Sequence, residues 1–183
     1  MRLWRVLPWD GRARPRDPGG ALWFPRPFQG SGRHDNPDRY GCLYVSEQPA
    51  SAVAEALAPF RGAGDLDAAM LERAGHGLAL AAIDLPDDAA LVDLDEPRVL
   101  RSERLRPSTV ATRARTVTQD YAARLHDAHG EAAGLRWWST LESSWINVTL
   151  FDRAARRLRA RPPEPLAIEH DAVARAAEML GLA

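Results

Sequence analysis

Hydrophobic and polar positions divide the chain into short apolar runs separated by turn-forming residues, and the runs change period along its length. Leu3–Leu7 reads as a short first strand closed by Pro8. From Trp9 to Tyr40 neither a helical nor a strand period appears; the stretch is rich in Pro, Gly and Arg. Its Trp23, Phe24 and Phe28 predict a packed loop region, of the kind that lines a site, rather than a disordered one. Cys42–Ser46 is a compact apolar run that predicts a buried strand. A helix should follow at once, capped by Ser46, with Pro49 in its first turn and Ala52, Val53, Ala56, Leu57 and Phe60 at helical spacing. Gly62 and Gly64 stop it, and Asp65–Ala74 reads as a second short helix.

The second half continues with two apolar runs, Leu78–Leu85 and Ala90–Leu94, split by the turn Pro86-Asp87-Asp88. Glu96–Leu105 is a candidate short helix, and Ser108 opens a mostly helical stretch to His129, ended by Gly130. Leu135–Ser139 and Trp145–Phe151 predict paired strands. A basic connector lies near 153–165. A C-terminal helix follows near 171–181, with Val173, Ala174, Ala177, Met179 and Leu180 available to one side. No repeat or low-complexity boundary interrupts residues 1–183, which predict one domain. Strands and helices mix without strict alternation, so the fold class expected is α+β.

Composition narrows the function classes. A length of 183 residues, an apolar fraction of 45% and a charged fraction of 27% are those of a globular domain large enough to fold without staples. A formal net charge of −1 gives no general attraction to nucleic acid or to an acidic membrane surface. Every residue counted as Lys or Arg is Arg, so Schiff-base chemistry on lysine is excluded. Cys42 stands alone and can form neither an internal disulfide nor a multi-cysteine zinc site. Without a signal-like apolar core at the N-terminus or a membrane-length apolar run, the expected compartment is the cytoplasm.

Four positions invite chemistry. Arg33 lies in Gly30-Ser-Gly-Arg-His-Asp-Asn-Pro, where glycine-relieved backbone and a forked guanidinium could both approach a phosphate. Tyr44 lies in the middle of the strand Leu43-Tyr44-Val45. Glu55, flanked by Ala54 and Ala56 on a helix expected to face a core, is an acidic residue in small apolar surroundings. Ser139 ends the run Leu135-Arg-Trp-Trp-Ser. Taken singly, each has a plain structural reading: a solvated helix Glu, a core Tyr, an exposed loop Arg.

Their order and spacing resemble the RES-domain family. Gly32-Arg33 leading into Leu43-Tyr44, followed by Ala52-Val-Ala-Glu55, is similar to the family's Gly-Arg motif, Leu-Tyr strand and Ala-x-x-Glu helix. Gly134-Leu-Arg-Trp-Trp-Ser139 resembles its later Gly-to-Ser stretch, with Ser143 and Ser144 as rivals for the serine. Where many relatives carry Trp after the Gly-Arg, this chain has His34. The resemblance implies an ADP-ribosyltransferase-like fold, with small mixed or antiparallel sheets and flanking helices. It also implies an NAD-cleaving toxin, a glycohydrolase or phosphorylase, partnered by an Xre-type antitoxin. Implied catalytic residues are Glu55, Arg33 and Ser139; implied NAD-binding residues are Arg33, Tyr44 and Ser139. NAD is then substrate, with no separate cofactor and no metal.

Other constellations are bland. His126 and His129 share a helix without a completing carboxylate and read as surface residues, and His76 and His170 as turn or helix-start residues. No Gly-x-Ser-x-Gly elbow supports a serine hydrolase. Asp35-Asn36-Pro37-Asp38 reads as a turn, and Trp137-Trp138 as one core ring and one cleft ring. Two alternatives stand beside NAD cleavage: a protein mono-ADP-ribosyltransferase sharing the same NAD site, and a non-catalytic interaction module retaining the fold. A homo-oligomer is left open; direct binding to nucleic acid or membrane is not expected.

Overall fold

A computed structural model describes residues 1–182 of the chain. They form two compact units, each assembled from separated stretches. The first comprises Met1–Trp23, Val45–Leu85 and the chain from Leu158 onward; the second comprises Phe24–Tyr44 and Pro86–Arg157.

In the first unit, β1 (Arg2–Pro8) runs antiparallel to the long strand β4 (His76–Asp84), in register from Arg2↔Asp84 to Pro8↔Leu78. Every residue from Leu78 to Ile83 is buried, which is why this segment reads as a continuous apolar run rather than an alternating one. β2 (Cys42–Ser46), the strand along which the chain passes from the second unit into the first, joins β1 at Trp4↔Ser46. β3 (Glu72–Arg73) pairs with β4 through the turn residues Ala74 and Gly75, at φ 51° and 77°. This tight hairpin overturns the expected helix over Asp65–Ala74. Only Ala68–Leu71 winds, as a single 3₁₀ turn opened by Asp67, whose carboxylate accepts from the Ala69 N–H. The basic connector is likewise more ordered than its composition suggests. After a 3₁₀ segment at Asp152–Arg157, β8 (Arg159–Ala160) and β9 (Glu164–Pro165) both pair with β4.

Helix α1 (Pro49–Leu57) packs against the last helix, α5 (Asp171–Leu180). Ala50, Val53, Ala54 and Leu57 of α1 and Val173, Ala176, Ala177 and Leu180 of α5 are buried. Ala174, expected on the buried side of α5, is exposed, and Ala172 and Ala176 take that face instead. The N-cap of α1 is Gln48, without a side-chain cap; Ser46 stays in β2. The cap of α5 is His170, whose Nδ1 accepts from the Ala172 N–H. Arg5 fixes the long loop that follows β1. Its Nη1 donates to the carbonyls of Gly20, Ala21 and Trp23, and burial brings its pKa down to about 10.

The second unit contains β5 (Leu91–Asp93) parallel to β6 (Gly134–Trp138), and β6 antiparallel to β7 (Ile146–Phe151). The expected strand pair is present, and the mixed strand directions with flanking helices give the mixed α/β architecture. Gly134 has no alternative: a Cβ there would stand 2.1 Å from the Thr149 carbonyl oxygen. Over these strands pack Leu94, Leu100, Val110, Tyr121, Leu125, Leu135 and Phe151. Three helices supply much of that core: α2 (Pro97–Ser102), α3 (Pro107–Ala111) and α4 (Arg115–Ala128). The single helix expected from Ser108 to His129 is thus broken at Thr112–Ala114. The Val110 and Thr112 carbonyls, which a continuous helix would direct to later N–H groups, turn to the Arg33 guanidinium instead.

Candidate functional site

The segment from Gly30 to Asp35 in the second unit is built around one carboxylate. Asp35 is 5% exposed, and its Oδ2 accepts from the backbone N–H of Gly30 at 2.9 Å and of Gly32 at 2.6 Å. Its Oδ1 accepts from the Tyr44 hydroxyl at 2.7 Å, and that hydroxyl accepts the His34 N–H at 2.9 Å. From α4, Gln119 Nε2 donates to the carbonyls of Gly30 and Gly32, both at 2.9 Å. The backbone on both sides of Arg33 is therefore pinned. A Cβ on Gly32 would lie 2.6 Å from both Asp35 oxygens and from the Tyr44 hydroxyl, so glycine is required there. The glycine N–H groups expected to approach a phosphate are occupied by the protein's own carboxylate. In this conformation the loop's anion-binding capacity rests on side chains.

Arg33 itself is 7% exposed. Nη1 donates to the carbonyls of Val110 at 2.9 Å and Thr112 at 2.8 Å, and the guanidinium carbon lies 5.0 Å from the centre of the Trp137 ring. Hydrogen bonds and a cation–π contact thus hold a planar cation in one orientation. Below it, His34 is fully buried. Its Nδ1 is 2.8 Å from Thr149 Oγ1 and its Nε2 is 2.8 Å from the Tyr121 hydroxyl. Trp137 Nε1 donates to the same Thr149 oxygen at 3.1 Å. Burial first, and then the Arg33 and Arg115 charges, push the His34 pKa well below its ordinary value, so the imidazole is neutral. Burial likewise raises the Tyr44 and Tyr121 hydroxyls above the usual phenol range, and both stay protonated at neutral pH.

Ser139 follows β6 directly and is 1% exposed; its N–H donates to the Trp145 carbonyl, and its Oγ accepts from the Leu141 N–H at 3.1 Å. Ser143 and Ser144 are exposed, so of the three serines only Ser139 is enclosed. Arg33, Tyr44 and Ser139 all belong to the second unit. Glu55 belongs to the first, on α1, where it is exposed while its neighbours Val53, Ala54 and Leu57 are buried. The paired tryptophans divide between core and margin: Trp137 is buried and Trp138 partly so.

Sequence reasoning missed Asp35, Gln119 and Tyr121 as partners of this segment. The sequence marks Asp35 only as part of a turn; its spacing after two glycines is the signal that a captured carboxylate leaves. Gln119 and Tyr121 come from a distant helix and leave no local signal. His126 was read as a surface residue but is half-buried, its ring stacked on Tyr40 at 4.3 Å. His129 Nε2 contacts Glu103 Oε1 at 2.8 Å. Among the described residues, no cluster of three or more His, Cys, Asp or Glu is arranged to hold a metal ion, and no helix is long and apolar enough to cross a membrane.

Comparison with known proteins bears directly on this segment. The family model of the RES domain matches residues 2–170. Among solved structures, the chain is similar to one in the MbcT–MbcA toxin–antitoxin complex of M. tuberculosis. The TM-score is 0.68 at 16% identity, and the match covers 99% of this chain and 89% of that one. The likeness shows a shared fold, a mixed sheet with flanking helices. No curated protein matches the sequence.

Proposed function

The chain belongs to the RES-domain family, and from that premise we propose that it is an NAD-cleaving enzyme that breaks the nicotinamide–ribose bond and acts as the toxin of a toxin–antitoxin pair. The observation that carries this reading is the immobilised Arg33. It is a buried, permanently charged group at the Gly-Arg position of the family motif, held in one orientation by two carbonyls and the Trp137 ring. It suits recognition of a pyrophosphate, a doubly anionic group whose tetrahedral phosphates present pairs of oxygen acceptors.

Cleavage of the glycosidic bond passes through an oxocarbenium-like state, and nicotinamide leaves as a neutral base without a general acid. What the enzyme supplies is an anion near the developing cation, together with fixed orientation of the ribose. The family motif gives the anion to Glu55, the pyrophosphate to Arg33, the orientation of the nicotinamide ribose to Tyr44, and a hydrogen bond to ligand or carboxylate to Ser139. The Tyr44 hydroxyl is already bonded to Asp35 and His34, which supports a contribution from its ring face rather than its oxygen. The bond broken is C1′–N of the nicotinamide riboside. The bond formed is C1′–O to water, with loss of one proton, or to phosphate.

The experiment is NAD consumption by purified protein with and without phosphate, products resolved by mass spectrometry, and Glu55→Gln as control. Free nicotinamide with ADP-ribose or its 1″-phosphate, abolished in the variant, is the expected result. Folded wild type that leaves NAD intact would overturn the reading. Labelled ADP-ribose found on protein instead would move the assignment to a protein-modifying transferase. Co-expression with the product of an adjacent gene tests the partner: an antitoxin is expected to co-purify with the chain and relieve its toxicity.

A further inference from the structure

The two carbonyls that hold Arg33, those of Val110 and Thr112, are both bonded to the same nitrogen, Nη1. They anchor one corner of the guanidinium and leave its plane to be set by other groups. Two aromatic residues of the second unit do that. The guanidinium carbon lies 5.0 Å from the centre of the Trp137 ring. The Tyr121 hydroxyl is the other: burial raises its pKa, and the Arg33 guanidinium opposes that rise by its charge and as a hydrogen-bond donor.

His34 joins the two aromatics. Its Nε2 is 2.8 Å from the Tyr121 hydroxyl, and its Nδ1 is 2.8 Å from Thr149 Oγ1, the atom that receives the Trp137 Nε1–H at 3.1 Å. The imidazole also meets both rings edge to face, at 5.5 Å from Tyr121 and 5.3 Å from Trp137. The circuit from Arg33 through Tyr121, His34, Thr149 and Trp137 back to Arg33 is closed, and all five residues are buried. Side chains from α4, β6 and β7 thus converge on the residue next to Arg33.

The donors give the circuit a direction. Arg33 and Trp137 can only donate, so Tyr121 and Thr149 each accept at one end. Between them a neutral imidazole donates at one nitrogen and accepts at the other. A phenol is a stronger donor than an aliphatic hydroxyl, so the arrangement that suits both contacts sends the Tyr121 O–H to Nε2 and the Nδ1–H to Thr149. Each bond in such a chain polarises the next, and the Tyr121 oxygen becomes a better acceptor for Arg33 as its proton is drawn to the imidazole.

We propose that His34 and Tyr121 are positioning residues for the pyrophosphate contact of Arg33, the imidazole holding the Tyr121 hydroxyl and the Trp137 ring at the places that fix the plane of the guanidinium. The proposal rests on the assignment of Arg33 to NAD. It adds two residues that act through Arg33 and touch no substrate themselves.

The test uses the full chain and two readouts. The first is heteronuclear NMR of the Arg33 side chain, identified by the signal that Arg33→Lys removes, and it needs no NAD. Tyr121→Phe removes the hydroxyl, and His34→Asn reaches only to the place of Nδ1. Both should speed exchange of the Arg33 guanidinium protons with water about fivefold or more, the equivalent of one net hydrogen bond. His34→Gln carries an acceptor to the place of Nε2 and should recover most of that loss. The second readout is NAD kinetics per folded molecule. Tyr121→Phe and His34→Asn should raise KM about fivefold or more, with kcat moved less. In the Arg33→Lys background Tyr121→Phe should change KM by less than about twofold, because it acts through the guanidinium. Leu125→Ala, a core truncation on the same helix, reports the effect of lost stability alone and should move neither readout. Unchanged exchange in both Tyr121→Phe and His34→Asn overturns the proposal. So does faster exchange with an unaltered KM, or a full KM effect in the Arg33→Lys background. Wild type that leaves NAD intact overturns the NAD reading instead, and the exchange rates then decide the positioning of Arg33 on their own.

Discussion

The Tyr44 hydroxyl donates to Asp35 Oδ1 at 2.7 Å while the opposite carboxylate oxygen receives the N–H groups of Gly30 and Gly32, so one pair sets the backbone on both sides of Arg33. Removing the hydroxyl strands a carboxylate oxygen and the His34 N–H in a site with little access to water. Tyr44→Phe is accordingly expected to cost about 1–3 kcal/mol in urea denaturation. In a cycle with Asp35→Asn the two effects should fail to add by more than about 0.5 kcal/mol, because both act on one network. Strict additivity would show that the two groups are not coupled in solution.

His34 makes the stability of this unit sensitive to acid. Its folded pKa lies well below 6.5, held down first by burial and then by Arg33 and Arg115. In the unfolded chain the imidazole titrates at its ordinary value near 6.5. Below that pH the unfolded state binds a proton that the folded state refuses, so stability falls as pH drops through about 6.5 and is unaffected by this group above it. The limiting slope for one such group is about 1.4 kcal/mol per pH unit. Urea midpoints measured between about pH 7.5 and 5 should show the decline, and His34→Phe should flatten it even though that variant is less stable throughout. An unchanged slope in the variant would assign the acid sensitivity to another group.

The close approach of β6 and β7 gives a sharper mutational test. A methyl group at position 134 would meet the Thr149 carbonyl oxygen at 2.1 Å and the Leu150 Cα at 2.9 Å. Both are backbone atoms within a ladder, so neither can give way without breaking the pairing of Gly134 with Leu150. Gly134→Ala should destabilise by at least about 3 kcal/mol, or fail to accumulate as folded protein. Gly130→Ala, where a Cβ meets nothing within 4 Å, is the matched control and should be nearly neutral.

β4 could be read from the sequence because the burial of Leu78–Ile83 leaves an uninterrupted apolar run, and the other strands because short stretches of β-branched, aromatic and apolar residues lie between turn signals. Cys42–Ser46 is placed residue for residue, and β1, β4, β6 and β7 to within a residue or two. The same holds for α5, whose amphipathic period is clear even though Ala174 sits on the solvent side. What failed were elements decided by partners far along the chain. The break at Thr112 exists because Arg33, 79 residues away, takes its carbonyl. The Asp65–Ala74 segment forms a hairpin because Ala74 and Gly75 turn tightly into β4, and no periodicity reports that. At the site, motif spacing identified Arg33, Tyr44, Glu55 and Ser139 as the residues to place. The carboxylate of Asp35 and the amide of Gln119 that fix the Arg33 segment come from tertiary contacts, and no local pattern marked them.

Arg33 separates a structural cation from one that also binds substrate. Lysine at this position keeps the charge and can offer one nitrogen to the Val110 and Thr112 carbonyls, as Arg33 Nη1 does, but it has no plane to lie over Trp137 and loses the other guanidinium donors. Arg33→Lys should therefore lose about 1–3 kcal/mol of stability, measured by urea denaturation. If the guanidinium also grips the pyrophosphate, the folded variant should show a KM for NAD raised at least about tenfold, the equivalent of one charge-assisted hydrogen bond. A purely architectural arginine predicts a different outcome: once the unfolded fraction is discounted, kcat and KM per folded molecule would match wild type. Kinetics well below the melting temperature, with folded protein quantified in the same samples, distinguish the two, because only direct contact with NAD moves KM apart from kcat.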